Sequence, residues 1–357
     1  MTSFVNLSVE CRLPDLAMPI RNPFKSRTPD TRPPDSSQNI TPGVVHISSD
    51  ELVQCRLQAR DLRLDSRRPA RSAITGGHAS RFRGRGMDYL ESRAYQPGDD
   101  IRSMDWRVTA RTTHAHVKLY QEERERPVVV MIDLGPGMFF ATQGAFKSVV
   151  AARAAALIGW AAIQNGDRIG AFLFNGGHHE LRPLGGQRGV MRLIRQLVTA
   201  TDPDAAPKNQ SIDAQSSHLN EALLRLHRVA RPGSLVFILS DFYAINADTR
   251  RHMQRLRQHN DIVACQIVDA LELAPPPAGR YAITDGVQTG LLDTQSVPRR
   301  RAYADYFSAH HSKVRELMQQ SAVPLQRIAT TDDVAQVLRF GLANPNSEFS
   351  RLQGAVA

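Results

Sequence analysis

The stretch "VVVMIDLG", residues 128–135, is a continuous apolar run that ends on an aspartate. Such a run lacks the polar alternation of a half-buried strand and is typical of a parallel strand that is covered on both faces. A second run of this kind, "SLVFILSDF" at residues 234–242, also ends on an aspartate. The two runs therefore predict buried parallel strands.

Strands and helices alternate after Pro127. The segment "DRIGAFLFNGGHHELRPL", residues 167–184, predicts two strands joined by a turn at 175–177. Helices are predicted at 143–165, 187–199, 247–259, 301–320 and 331–342. Repeated units of this length predict an α/β fold with a doubly wound, mostly parallel sheet and helices on both faces.

Composition and pattern divide the chain into four parts. Residues 21–43 are rich in Pro, Ser and Thr and predict a flexible stretch. A helix is predicted at 49–64, with Ser49 as its N-cap. The four parts are a flexible lead-in at 1–48, an irregular or β-structured segment at 49–126 that packs on the main domain, the α/β domain at 127–343, and a C-terminal tail at 344–357.

The charge and cysteine content limit the class of protein. The formal net charge is +10, which favours anionic partners such as acidic protein surfaces or nucleic acid. The three cysteines form no CxxC pair, so neither a disulfide framework nor a zinc site is expected. We see no signal peptide and no apolar run long enough to span a membrane. A cytoplasmic protein without membrane insertion is therefore expected.

Asp133 and Asp241 follow the two buried runs. In open α/β sheets, ligands bind beyond the carboxyl ends of the strands, where the strand order reverses. Two carboxylates in such a crevice repel each other unless a cation or an arginine compensates their charge. A divalent metal is one solution, because Mg²⁺ prefers oxygen ligands.

The runs "VVVMIDLGPGM" and "LVFILSDF" together resemble the von Willebrand factor A fold, whose members carry a metal-ion-dependent adhesion site. That site uses an Asp-x-Ser-x-Ser motif, a loop threonine and a further aspartate. Asp133 and Asp241 match the two aspartates, and Ser217 falls near the threonine position. Gly135 and Gly137 replace the two serines. The resemblance implies a degenerate Mg²⁺ or Mn²⁺ site at Asp133, Ser217 and Asp241. The alternative is that the aspartates are structural, capping loops or pairing with a basic residue.

Residues 76–133 are closely similar to the signature of the DUF58 family, whose members contain a von Willebrand A-like domain. The matching residues are Arg93, Tyr95, Gly98, Asp99, Asp100, Arg102, Asp105 and Trp106, and Arg111 follows them. The resemblance implies a non-enzymatic adaptor that works with a MoxR-type AAA+ ATPase in the maturation of client complexes. The client protein is unknown.

The signature has two interpretations. In the first it is structural: Pro97 and Gly98 form a turn, Asp105 receives a guanidinium from Arg102, Arg107 or Arg111, and Trp106 anchors the segment by burying its ring. In the second interpretation the same residues form a surface that binds a partner.

Two other functions stay open. The stretch "RFRGR", residues 81–85, is compatible with nucleic-acid binding, although the charged stretch "QEERERP" at 121–127 opposes it. A metal-dependent hydrolase would use Asp133 and Asp241. No nucleophile elbow, Walker loop or HExxH motif is present, so we expect no enzymatic activity.

Overall fold

A computed structural model of the chain describes residues 5–6, 43–64, 87–122, 126–175, 177–205, 212–284 and 289–344. The chain forms two compact units. One unit, the α/β domain, contains Met1–Arg67 and Pro127–Ala357, and the other, the signature unit, contains Arg68–Arg126. Most of the predicted lead-in, the stretch at 81–85 and nearly all of the predicted tail lie outside the described residues.

The elements are numbered along the chain. The strands are β1 (Val5–Asn6), β2 (Met87–Ala94), β3 (His116–Glu122), β4 (Pro127–Asp133), β5 (Arg168–Phe174), β6 (His178–Gly185), β7 (Leu235–Ser240), β8 (Asp261–Val268), β9 (Arg280–Thr284), β10 (Thr289–Asp293) and β11 (Leu325–Ala329). The helices are α1 (Ser49–Gln58), α2 (Trp106–Thr112), α3 (Lys147–Gln164), α4 (Gly186–Ala200), α5 (Ile212–Val229), α6 (Ala247–His259), α7 (Ala270–Leu273), α8 (Val297–Gln320) and α9 (Val334–Ala343). Among the described residues, no helix has the length and apolar character to cross a membrane.

The α/β domain is built on a six-stranded sheet with the order β11-β8-β7-β4-β5-β6. All neighbouring strands are parallel except β6, which pairs antiparallel with β5. Counted along the chain, this order is the 3-2-1-4-5-6 arrangement of doubly wound sheets. The predicted fold class is therefore confirmed, and it agrees with the von Willebrand A-like fold that the resemblance implied.

Helices cover both faces of this sheet because its central strands are apolar on both sides. Val128, Val130 and Ile132 face a core that includes side chains of α1, α3, α4 and α9. Val129 and Met131 face a second core with α5, α6 and α8. Every residue of β7 and β8 is buried, as expected for strands without a solvent face. The predicted helix at 143–165 begins at Lys147.

Helix α1 belongs to the α/β domain, whereas the sequence grouped residues 49–126 as one segment. Leu52 is fully buried, and its carbonyl accepts a hydrogen bond from the indole Nε1 of Trp160 at 2.9 Å. Arg153 and Glu51 form an ion pair at 2.6 Å between α3 and α1. The N-cap is Ser48, one residue before the predicted position, and its side chain accepts from the Glu51 amide.

Two smaller sheets complete the described structure. In the signature unit, β2 and β3 pair antiparallel, with a register shift between Tyr89 and Glu91. In the α/β domain, β9 and β10 form an antiparallel hairpin, and the short β1 pairs parallel with β9.

Candidate functional site

Asp133 and Asp241 lie at the point where the strand order of the main sheet reverses. Strands β4 and β7 are neighbours and pair in parallel up to Ile132 and Leu239. Asp133 is the last residue of β4, and Asp241 follows the end of β7. The sequence predicted this juxtaposition, because the carboxyl ends of parallel strands meet at one edge of a sheet.

The Asp133 carboxylate is held by two hydrogen bonds. Its Oδ1 accepts from the Gly135 amide at 2.9 Å, and its Oδ2 accepts from the Ser240 hydroxyl at 2.6 Å. Burial and the nearby Asp241 carboxylate raise the pKa of Asp133 to about 7, although the two hydrogen bonds oppose the shift. Two hydrogen bonds therefore fix the orientation of the Asp133 carboxylate, and the like charge of Asp241 acts on it.

Lys147, the first residue of α3, supplies the positive charge of this site. Its side chain is fully buried, and its Nζ donates to Glu272 Oε1 at 2.8 Å and to Asp241 Oδ2 at 3.3 Å. Burial lowers the pKa of Lys147, but Glu272 and Asp241 outweigh that effect and leave its pKa above the usual value. The amine is therefore a charged ammonium. We call Asp133, Lys147, Asp241 and Glu272 the acidic crevice.

A second set of hydrogen bonds fixes Glu272. Its Oε2 accepts from the Asp269 amide at 2.9 Å, as part of a capping box at the start of α7. Burial raises the pKa of Glu272, and Lys147 opposes that shift. Asp269 in turn accepts from the amide of Thr142 at 2.8 Å and from the hydroxyl of Thr330 at 3.1 Å. The crevice is therefore tied to the loop after β4 and to the end of β11.

Two histidines of α8 border the crevice. The ring of His310 stacks on Tyr243, with centroids 4.1 Å apart, and its Nε2 lies 3.3 Å from the Asp241 carbonyl oxygen. His311 donates from Nε2 to the Glu272 carbonyl at 3.0 Å and accepts from Gln266 at Nδ1. Burial lowers the pKa of His311 to about 4. This imidazole is therefore neutral near pH 7, and its two hydrogen bonds link Gln266 to the Glu272 carbonyl.

The two glycines at the serine positions leave room that the aspartates themselves use. A Cβ at Gly137 would lie 2.6 Å from Asp241 Oδ2, and a Cβ at Gly135 would lie 3.2 Å from Asp133 Oδ1. The carboxylate of Asp241 thus occupies the space that a side chain at position 137 would need.

Serine at position 137 should lower the free energy of unfolding by about 1–3 kcal/mol, because its Cβ would press on a short, buried carboxylate. Asp241 cannot easily move away, since Lys147 and the Tyr243 amide hold its two oxygens. Urea unfolding followed by circular dichroism measures the loss. Gly135→Ser is the matched control and should cost less. Equal stability of the two variants would contradict the expected crowding.

The donor set does not fit a divalent metal. Glycine at positions 135 and 137 offers no side-chain oxygen, and Asp241 Oδ2 faces a buried ammonium that would repel a second cation. Ser217 lies inside α5 rather than in a loop, and its side chain is outside the described part of the chain. Within the described ranges, no group of three or more His, Cys, Asp or Glu side chains is placed to hold a metal ion.

The signature residues of the other unit form a rigid turn and helix. Arg93 donates both Nη atoms to the Asp99 carboxylate, at 2.7 and 2.8 Å, which lowers the pKa of Asp99. Asp99 also accepts from the Gln96 amide at 2.9 Å, and Asp100 accepts from the Arg102 amide at 2.9 Å. Gly98 has φ of +109°, a conformation that requires glycine. Tyr95 is half-buried at the start of this turn.

Asp105 and Trp106 differ from the prediction. Asp105 is the N-cap of α2 and accepts from the Val108 amide at 3.2 Å and from the Ser92 hydroxyl at 2.7 Å, instead of receiving a guanidinium. The expectation that Trp106 buries its ring is wrong, since Trp106 is 67% exposed. Trp106 is the first residue of α2.

Several exposed side chains surround Trp106 in the sequence. Ile101 is 63% exposed, and the arginines at 102, 107 and 111 are exposed as well. We call these five residues the Trp106 surface. The interpretation of the signature as a partner-binding surface already included three of the five residues, Arg102, Trp106 and Arg111.

A family model described as "Protein of unknown function DUF58" matches residues 91–313, which is more than half of the chain. The chain belongs to the DUF58 family. The DUF58 match includes the Trp106 surface and all four residues of the acidic crevice. Similar proteins include "Uncharacterized protein Rv1480" of Mycobacterium tuberculosis and "Uncharacterized protein Mb1516" of Mycobacterium bovis. Each is 28% identical over 330 residues, covering 90% of this chain and 99% of the relative.

Solved structures with similarity to this DUF58 chain include BatB from Bacteroides thetaiotaomicron, with 10% identity and a TM-score of 0.37. That alignment covers 61% of this chain and 97% of BatB. A von Willebrand factor type A protein from Catenulispora acidiphila aligns with 13% identity and a TM-score of 0.31. That alignment covers 64% of this chain and 44% of the Catenulispora protein.

Proposed function

We propose that this DUF58 protein is a non-enzymatic protein–protein interaction module and that the Trp106 surface is its contact site. The observation that carries the proposal is the 67% exposure of Trp106 among exposed arginines. Tryptophan and arginine are the residue types that most often dominate binding energy at protein interfaces. Ile101, which is 63% exposed, adds a second large apolar side chain close to Trp106 in the sequence.

The hydrogen bonds that hold α2 on the hairpin support this role. Asp105 caps the helix, the Asp105 amide donates to the His116 carbonyl at 2.8 Å, and the His116 amide donates to the Thr109 hydroxyl at 3.0 Å. These bonds hold the start and the middle of α2 on the hairpin of β2 and β3. A surface held in this way loses little conformational entropy on binding, so more of the contact energy appears as affinity.

The partner that we propose is a MoxR-type AAA+ ATPase, with a further client protein that the pair brings to maturity in the cytoplasm. The resemblance to the DUF58 family suggests this partner. The chemistry of the surface adds that the partner should offer an apolar pocket with acidic residues around it, to match three arginines and the overall charge of +10.

Trp106→Ala should weaken binding to the MoxR-type ATPase of the same genome by about 30-fold, which corresponds to the loss of an interface hot spot. Calorimetry with the full chain measures the affinity. Leu291→Ala is the matched control, because Leu291 is 65% exposed but lies in the α/β domain. This control should bind as tightly as the native chain.

Acrylamide quenching gives an independent readout, because the chain has two tryptophans and Trp160 is 1% exposed. Quenching of the native chain should fall when the ATPase is added. Unchanged affinity and unchanged quenching would contradict the proposed surface. Binding of a single-stranded oligonucleotide that requires Trp106 and weakens steeply with salt would instead favour the nucleic-acid function.

A further inference from the structure

We propose that the ammonium of Lys147 takes the place of the divalent cation in this von Willebrand A-like crevice, which makes the site independent of metal. The inference concerns the acidic crevice alone and does not depend on the identity of the partner. It starts from the disagreement between the metal site that the sequence resemblance implied and the contacts that the crevice contains.

The charges of the crevice carry the first step. Lys147 is fully buried, and it bridges Asp241 at 3.3 Å and Glu272 at 2.8 Å. Asp133 ends β4 and Asp241 follows the neighbouring strand β7, and the Asp241 charge adds to the burial that raises the pKa of Asp133. Buried carboxylates need a compensating cation, and the lysine side chain brings one that cannot dissociate.

The donor geometry carries the second step. Glycine replaces both motif serines, and Asp241 Oδ2 lies in the space where a side chain at 137 would stand. The hydroxyl next to Asp133 comes from Ser240 on β7, and it donates to the carboxylate instead of coordinating a metal beside it. Glu272 holds the far side of the ammonium, so the lysine is fixed from two elements that follow different strands.

The buried ammonium changes how a partner can bind at this edge of the sheet. In a metal-dependent adhesion site, the cation is the point where an acidic side chain of the partner attaches. Here the positive charge is covered by protein, so no cation is left for such a side chain to reach. A partner that contacts this edge should therefore bind equally well with and without a chelator.

Manganese binding to the full chain tests the inference, because the electron paramagnetic resonance signal of free Mn²⁺ in solution decreases when the ion binds to protein. The native protein should show no saturable binding at millimolar Mn²⁺, and its thermal midpoint should be the same in Mg²⁺ and in EDTA. Saturable Mn²⁺ binding that disappears in Asp241→Asn would overturn the inference.

Lys147→Met keeps most of the side-chain volume and removes the charge. This variant should bind Mn²⁺ more tightly than the native chain by about a hundredfold or more, because the repulsion from a unit charge a few ångströms away is gone. The gain should vanish in Lys147→Met/Asp241→Asn. A folded Lys147→Met protein without any gain would contradict the proposal. If Lys147→Met does not fold, the native measurements decide the question alone.

Discussion

Replacement of Lys147 by methionine should lower the free energy of unfolding by about 3–5 kcal/mol, the cost of leaving buried charges without their partner. Asp241 and Glu272 would lose the ammonium that bridges them, and both lie almost entirely out of water. Urea unfolding followed by far-ultraviolet circular dichroism measures the loss. The loss should grow as the pH rises from 5 to 8, because burial already raises the pKa of Glu272 and the variant removes the ammonium that opposes this shift. A carboxyl whose pKa is higher in the folded than in the unfolded state lowers stability as the pH rises.

Two further variants separate charge from packing. Ser148 is the next residue of α3, is fully buried, and has a hydroxyl without a hydrogen-bond partner among the described residues. Ser148→Ala should therefore be neutral or slightly stabilising. Lys147→Met/Glu272→Gln should recover part of the stability, because it removes one of the unpaired carboxylates. If the Lys147→Met variant were as stable as the native chain, the ammonium would not hold the crevice together.

The sheet could be predicted from the sequence because its central strands are covered on both faces. Such strands appear as unbroken apolar runs, and the runs at 128–133 and 235–240 are the buried centre of the observed sheet. The position of Asp133 and Asp241 follows from the same pattern, since each stands directly after its run. Strand endings are therefore informative even without knowledge of the tertiary contacts.

The charge compensation of the crevice could not be predicted in this way. Lys147 contacts Glu272, which is 125 residues further along the chain, and no local pattern joins the two. A signal did exist: a lysine directly precedes the apolar run "SVVAARAAALIGWAAI" at 148–163, in a helix that must be buried. Charged residues in such positions are almost never buried without a partner. The structure shows which partners these are.

The signature residues show a different limit. A tryptophan in an irregular segment was assumed to be an anchor, yet burial depends on tertiary contacts that composition does not contain. The role of Asp105 was closer to the sequence, because an aspartate before a short helical stretch is a typical N-cap. The cap places Trp106 at the first position of α2, but its exposure could not be read from that position.

Trp160→Ala should cost about 3–5 kcal/mol of the free energy of unfolding, because it opens a large cavity between α1 and α3. The indole is 1% exposed, donates to the Leu52 carbonyl at 2.9 Å, and lies under the Arg56 guanidinium. The variant therefore tests whether residues 49–64 are part of the α/β domain. Limited proteolysis should cut within α1 more rapidly in this variant than in the native chain.

Trp160→Phe and Trp106→Ala are the variants with which the loss of stability in Trp160→Ala is compared. Trp160→Phe keeps much of the ring but leaves the Leu52 carbonyl without its donor, so it should cost about 1–3 kcal/mol. Trp106→Ala removes an equally large but exposed ring and should change stability by no more than about 0.5 kcal/mol. If Trp160→Ala left both the unfolding midpoint and the cleavage rate in α1 unchanged, α1 would not be an integral part of the domain. We expect Trp160→Ala to have a much lower free energy of unfolding than Trp160→Phe, because the indole joins the two helices.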